Sequence, residues 1–172
     1  NYGLVKNDLH NPKEFEPKEM IKEEFFALYK IYEAHKEGNE KIDFDDMMSN
    51  CYNLLINNHE VLNKWRKKYK YILIDEFQDI NKAQYECIKM LAYPENNIFA
   101  VGDDDQSIYS FRGARPEFMQ AFAKEYKGCS KVYLDINYRS TEQIIALSEK
   151  LISKNKIRFS KNIKGTGRQG AV

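Results

Sequence analysis

The chain has 172 residues, 42% of them hydrophobic and 31% charged, with a formal net charge of +1. That length suits one ordinary domain, and no apolar run approaches the ~20 residues that a membrane-spanning helix needs. Three cysteines (Cys51, Cys87 and Cys129) are scattered and odd in number, which argues against a disulfide framework or a zinc cluster and points to a reducing cytoplasm.

The overall charge hides an asymmetry. Residues 1–42 hold seven basic and nine acidic residues, 43–136 hold twelve and fifteen, and 137–172 hold eight and two. The C-terminal stretch can therefore face phosphate or form a solvated basic helix and tail. The start, Asn1-Tyr2-Gly3-Leu4, has neither an initiator Met nor a leader and reads as the start of an excised piece of a larger chain.

Residues 1–17 are polar, with Pro12 and Pro17 breaking any regular pattern. Helical spacing then predicts a helix from Pro17 to about Gly38, with Met20, Phe25, Leu28, Ile31 and Tyr32 as its core stripe. A second helix is expected over Phe44–Asn57, with Asp43 as cap and Met47, Met48, Cys51, Leu54 and Leu55 on the buried face. Tyr71-Ile72-Leu73-Ile74, bounded by charge, fits a parallel strand buried on both faces. A helix at Asn81–Ala92 follows, then a strand at Ile98–Val101 and a helix near Pro116–Tyr126. A strand at Lys131–Leu134, a helix at Thr141–Lys154 and a frayed loop around Gly165, Gly167 and Gly170 complete the pattern. The alternation is that of a parallel α/β sheet.

In open α/β sheets, ligands bind beyond the carboxyl ends of strands, and two polar clusters lie there. In Asp75-Glu76-Phe77-Gln78-Asp79, the first Asp can hold Mg²⁺ and the adjacent Glu can orient or deprotonate a water. Taken alone, the acidic pair also fits a strand-end cap or turn. In the second cluster, from Val101 to Ala114, Gly102 allows a sharp turn off the strand. Gln106 can hydrogen-bond a terminal phosphate, and Tyr109, Phe111 and Arg112 have the composition that stacks unpaired bases. Taken alone, the two aromatics also fit a core, and the three consecutive aspartates a solvated turn.

The ordered set DEFQD, VGDDDQSIYSFRGA and LDINYRST resembles motifs II, III and IV of the UvrD/PcrA/Rep-type superfamily 1 DNA helicases over about residues 40–165. The resemblance implies an α/β fold, namely a partial RecA-like (P-loop NTPase) parallel sheet flanked by helices. It implies a helical end of an inserted 1B-like subdomain at 1–38, the C-terminal part of the 1A ATPase lobe at 39–136, and the start of the 2A lobe at 137–172. By the same resemblance, Asp75 holds Mg²⁺ with Glu76 beside it as catalytic base, and Gln106 senses the γ-phosphate of ATP. Tyr109, Phe111 and Arg112 contact single-stranded DNA, Tyr138 stacks on adenine, and Arg139 stabilises transition-state charge. The family often has Trp where Phe111 stands. No role is assigned to Asp104.

No G-x-x-x-x-G-K-[ST] occurs in the 172 residues, so the Walker A strand and its phosphate loop are not among them. The expectation is therefore a piece of an ATP-dependent helicase that translocates on single-stranded DNA and unwinds duplex, inactive as an ATPase in isolation. It is also expected to expose a sheet edge through which it can self-associate. A RecB/AddA-like helicase-nuclease parent and a non-catalytic single-strand-binding module are the alternatives.

Overall fold

The computed structural model describes residues 1–156 and 158–170. In chain order it contains α1 (Tyr2–Asn7), α2 (Lys22–Gly38), α3 (Phe44–Asn57), α4 (His59–Lys68), β1 (Ile72–Ile74), α5 (Lys82–Ala92), β2 (Ile98–Ala100), α6 (Glu117–Glu125), β3 (Ile136–Asn137), α7 (Glu142–Ile152) and β4 (Lys164–Gly165). Short 3₁₀ turns cover Phe77–Asp79, Asp104–Gln106 and Ser110–Arg112.

Local chemistry explains the best-defined boundaries. Asp43 caps α3 by accepting from Asp46 N (2.8 Å), while the Asp46 side chain accepts from Asp43 N (3.0 Å). Asn81 and Gln84 repeat this reciprocal arrangement at the start of α5. Helix α4, absent from the sequence expectation, is capped by Asn58, whose side chain accepts from Val61 N (3.0 Å). Helix α2 begins only at Lys22, several residues past Pro17, and Met20 lies outside it. The polar N-terminus forms α1, which packs on α3 and α5 in spite of Pro12 and Pro17 farther along.

The sheet is smaller than the α/β pattern suggested. Strands β1 and β2 pair in parallel, with Ile72 opposite Ile98, Leu73 opposite Phe99 and Ile74 opposite Ala100. Ile74 and Ala100 pack against the core, whereas Leu73 and Phe99, on the opposite face by strand alternation, are 73% and 63% exposed. The strands are thus covered on one face, not two. Residues 131–134 form no strand, and Val132 and Leu134 are exposed. The third strand is Ile136–Asn137, which pairs in parallel with β4 in a separate two-stranded sheet. Consequently Gly165 lies in a strand, and the chain around Gly167 and Gly170 is tied back to α7 through Glu142 and Gln143 (2.7 and 3.0 Å).

Two apolar clusters form the core, and α5 serves both. Leu55, Leu62 and Cys87 join α3, α4 and α5, with Met48, Tyr52 and Trp65 against them. Burial and the neighbouring Cys51 push the Cys87 thiol up to about 12. Phe77, Ile80 and Tyr85 form the second cluster with Phe118 and Phe122 of α6. Tyr85 stacks on Phe118 (centroids 4.6 Å apart) and donates to Glu125 (2.6 Å). The expected helix stripes are only partly buried. Phe25 and Leu55 are in the core, but Leu28, Ile31, Tyr32, Met47, Cys51 and Leu54 are exposed.

A polar joint fixes the N-terminal helices. Lys36 of α2 donates to Asp46 (2.6 Å), Asp43 (3.1 Å) and Tyr2 (2.5 Å) and pairs with Glu33 (2.9 Å). Lys6 of α1 reaches Asp46 (2.9 Å) and Glu33 (3.0 Å). Burial alone would raise the Asp46 carboxyl, but hydrogen bonds from Lys36, the Asp43 backbone and Lys6 outweigh it and lower the group to about 2.

Candidate functional site

Strands β1 and β2 run in the same direction, so both polar clusters leave the same edge of one sheet. Two backbone bonds, from Val101 N to Ile74 O (2.8 Å) and from Phe77 N to Val101 O (2.9 Å), hold the departing loops together. Asp75 and Glu76 are exposed just beyond β1. The Asp75 carboxylate accepts from Glu76 N (2.9 Å), and Glu76 adopts a left-handed backbone (φ 50°), an unusual conformation for a residue with a Cβ.

A residue to which the sequence reading gave no role connects the two loops. Gln78 is 1% exposed. Its amide nitrogen donates to Glu76 (2.8 Å) and its amide oxygen accepts from Asp103 N (2.9 Å). Asp103 in turn accepts from the Gln106 side chain (2.7 Å), so a continuous polar chain runs Glu76–Gln78–Asp103–Gln106. Gly102 has no left-handed backbone. Its reason is space, since a Cβ there would lie 2.5 Å from the Gln78 amide oxygen and 3.0 Å from Phe77 N. Beside this chain, Asp79 has one carboxylate oxygen that is buried without a hydrogen-bond partner. Burial and then the Glu76 carboxylate push the Asp79 carboxyl above its ordinary range.

The three aspartates, expected to be solvated or without a role, are engaged by the basic C-terminal stretch. Arg158 grips Asp105 with two hydrogen bonds (2.8 and 2.6 Å), Phe159 N donates to Asp104 (2.7 Å), and Lys161 pairs with Asp103, Asp104 and Asp105. Burial would raise the Asp103 carboxyl, but hydrogen bonds from Lys161 and Gln106 hold it below its usual range. The carboxylate oxygens lie within 4.8 Å of one another, yet the Lys161 ammonium already occupies the position a cation would take. Beyond β1, the exposed carboxylates of Asp75 and Glu76 offer oxygens that fit Mg²⁺ by donor type.

Tyr109, Phe111 and Arg112 form an exposed group. The two rings lie 6.0 Å apart, and the Arg112 guanidinium is 5.5 and 5.4 Å from their centroids. Helix α1 buttresses the end of this loop from behind. Asn7 donates to Arg112 O (3.5 Å) and accepts from Asn81 (3.1 Å), and Asp8, just past α1, holds Arg115 with two bonds (2.9 and 2.7 Å). Tyr138 and Arg139 are exposed on a turn organised by Asn137, whose side chain accepts from Arg139 N (3.0 Å) and Ser140 N (2.9 Å). Among the described residues, no hydrogen bond or ion pair joins either to Asp75, Glu76 or Gln106.

The UvrD/REP helicase N-terminal domain family matches residues 3–127. The chain belongs to this family. YjcD of Bacillus subtilis (strain 168) is 44% identical over 161 residues, covering 94% of this chain and 21% of that protein. The ATP-dependent DNA helicase Rep of Buchnera aphidicola is 41% identical over 143 residues, covering 83% of this chain and 22% of the relative. The protein of the same name from Escherichia coli (strain K12) is 37% identical over 160 residues, covering 92% and 24%. The chain thus spans about a fifth to a quarter of the length of these relatives. No helix among the described residues is long and apolar enough to cross a membrane.

Proposed function

We propose that these residues form the magnesium and coupling side of an ATP-dependent DNA helicase motor, acting in the cytoplasm on single-stranded DNA and unwinding duplex. The observation that carries this reading is the polar chain from Glu76 through Gln78 and Asp103 to Gln106, at the shared carboxyl edge of β1 and β2. In this reading, residues 39–136 are part of a RecA-like 1A lobe, 1–38 the end of a 1B-like insertion, and 137–172 the beginning of the 2A lobe.

Asp75 and Glu76 would hold Mg²⁺, which supplies charge neutralisation at the phosphates when bound. The exposed Glu76 carboxylate accepts a proton from the attacking water. The Gln106 amide offers its neutral dipole to the terminal phosphate, and its bond to Asp103 links nucleotide state to the loop bearing Tyr109, Phe111 and Arg112. Those three stack on unpaired bases and grip the adjacent backbone. Tyr138 stacks on adenine, and Arg139 stabilises charge on the transferring phosphoryl group, a contribution worth about 10³–10⁵-fold in comparable systems.

The 172-residue chain contains no phosphate-cradling loop, so its expected ATPase activity is nil. DNA-stimulated ATP hydrolysis by the purified chain refutes that part. The wider reading is tested in a protein of the relatives' length, where Glu76→Gln abolishes hydrolysis; a variant that turns over normally removes Glu76 from the chemistry. DNA contact is tested on the chain by fluorescence titration of a labelled oligonucleotide at two salt concentrations. Arg112→Ala is expected to weaken binding about tenfold at low salt, and equal affinity defeats the assignment. The open outer edges of β1 and β2 favour self-association at high concentration, which sedimentation velocity reads directly.

A further inference from the structure

Within the site just described, the Gln78 side chain is buried and bonded at both ends of its amide. The Asp103 backbone N–H can only donate, so the Gln78 atom 2.9 Å from its nitrogen is the amide oxygen. The amide NH₂ therefore faces the other way, toward the Glu76 carboxylate at 2.8 Å, with a longer approach to Asp79 at 3.4 Å. The absence of a side chain at Gly102 is what admits the amide, since even a methyl would stand 2.5 Å from its oxygen. Ser107 donates to the Gln78 backbone carbonyl (3.3 Å), a second tie between the same two loops.

We infer that Gln78 is a positioning residue. It orients the Glu76 carboxylate through its NH₂ and, through its carbonyl, fixes that carboxylate to the loop carrying Gln106. The inference rests on the reading of Glu76 as the base and adds the device that sets its direction. Glu76 is exposed and sits on a left-handed backbone, and its side chain has several rotatable bonds. The buried donor selects one orientation among them. The same amide transmits displacement, because a shift of the Asp103 loop pulls the Gln78 oxygen and with it the NH₂ that holds Glu76.

Two arms test this. In the 172-residue chain, hydrogen exchange at the Asp103 amide is compared among wild type, Gln78→Met and Gln78→Glu, with circular dichroism confirming the fold of each. Gln78→Met removes the acceptor and is expected to speed Asp103 exchange about tenfold. Gln78→Glu keeps an acceptor oxygen and leaves exchange within about threefold. In the full-length motor, Gln78→Met loses the donor to Glu76 and is expected to lower kcat about tenfold with KM nearly unchanged. Unaltered Asp103 exchange in Gln78→Met overturns the bridge. Unaltered kcat, in a motor that Glu76→Gln inactivates, overturns the positioning role. If Glu76→Gln itself hydrolyses ATP normally, the assigned base is wrong, and the bridge is judged by exchange alone.

Discussion

Lys36 and Lys161 each meet three carboxylates and are nearly equally enclosed, with 8% and 12% of their side-chain surface exposed. Around Lys36 the acids sit in helix α2 and at the start of α3, where Asp43 and Asp46 are already fixed by a reciprocal cap. Lys6 and Tyr2 add further ties. Around Lys161 the acids sit on a loop and a single 3₁₀ turn, and the lysine itself lies in a stretch without regular structure. The same chemistry is a permanent joint when helices hold its members and a separable one when only loops do.

The largest expected effect lies at the helical joint. Lys36→Met leaves Asp46 short of a partner in a nearly closed site and is expected to cost on the order of 3 kcal/mol in urea unfolding. A loss below about 1 kcal/mol would mean the joint is no firmer than an exposed ion pair. Acid titration probes the helical joint next. The Asp46 carboxyl lies at about 2 in the fold and returns to about 4 when unfolded. A depressed group stabilises fully above the unfolded value, and its contribution of about 2 kcal/mol is lost as pH falls from about 4 to 2. Asp46→Asn should therefore differ most from wild type near neutrality and converge with it near pH 2; a constant gap contradicts the assignment. The smallest effect belongs to the loop joint. Because the loop can turn its acids out to solvent, Lys161→Met is expected to cost only about 1 kcal/mol globally while sharply raising exchange at Phe159 N–H, and added salt should mimic it. Equal salt sensitivity at Lys36 would erase the distinction.

What was legible in the sequence follows the range of the forces involved. The bounds of α3 and the start of α5 were readable because Asp43 and Asn81 act within four residues of themselves. The strand expected at 131–134 failed because alternation alone supplies no partner, and the actual pairing joins Ile136 to Lys164. The exposed halves of the α2 and α3 stripes, such as Ile31 and Leu54, show that periodicity marks an apolar face without saying what meets it. At the site, two apolar runs each ending in a polar cluster, read as parallel strands, marked both loops and their common edge. Gln78 was passed over because an amide between charged neighbours looks like a spacer, although the glycine at 102 was a visible sign of close approach. Arg158 and Lys161 left a trace in the charge imbalance of residues 137–172, but a charge run does not name its counter-ions.

Gly102 and Gln78 also constrain how the protein can change over generations. A methyl at position 102 collides with the amide as it stands, so Gln78 would have to shorten first. A shortened Gln78 leaves the Asp103 N–H and the Glu76 carboxylate without their present partner, so that order of events passes through an impaired intermediate. Shortening Gln78 clears only part of the way, because Phe77 N also stands 3.0 Å from such a methyl, and the two positions are expected to be inherited together or lost together.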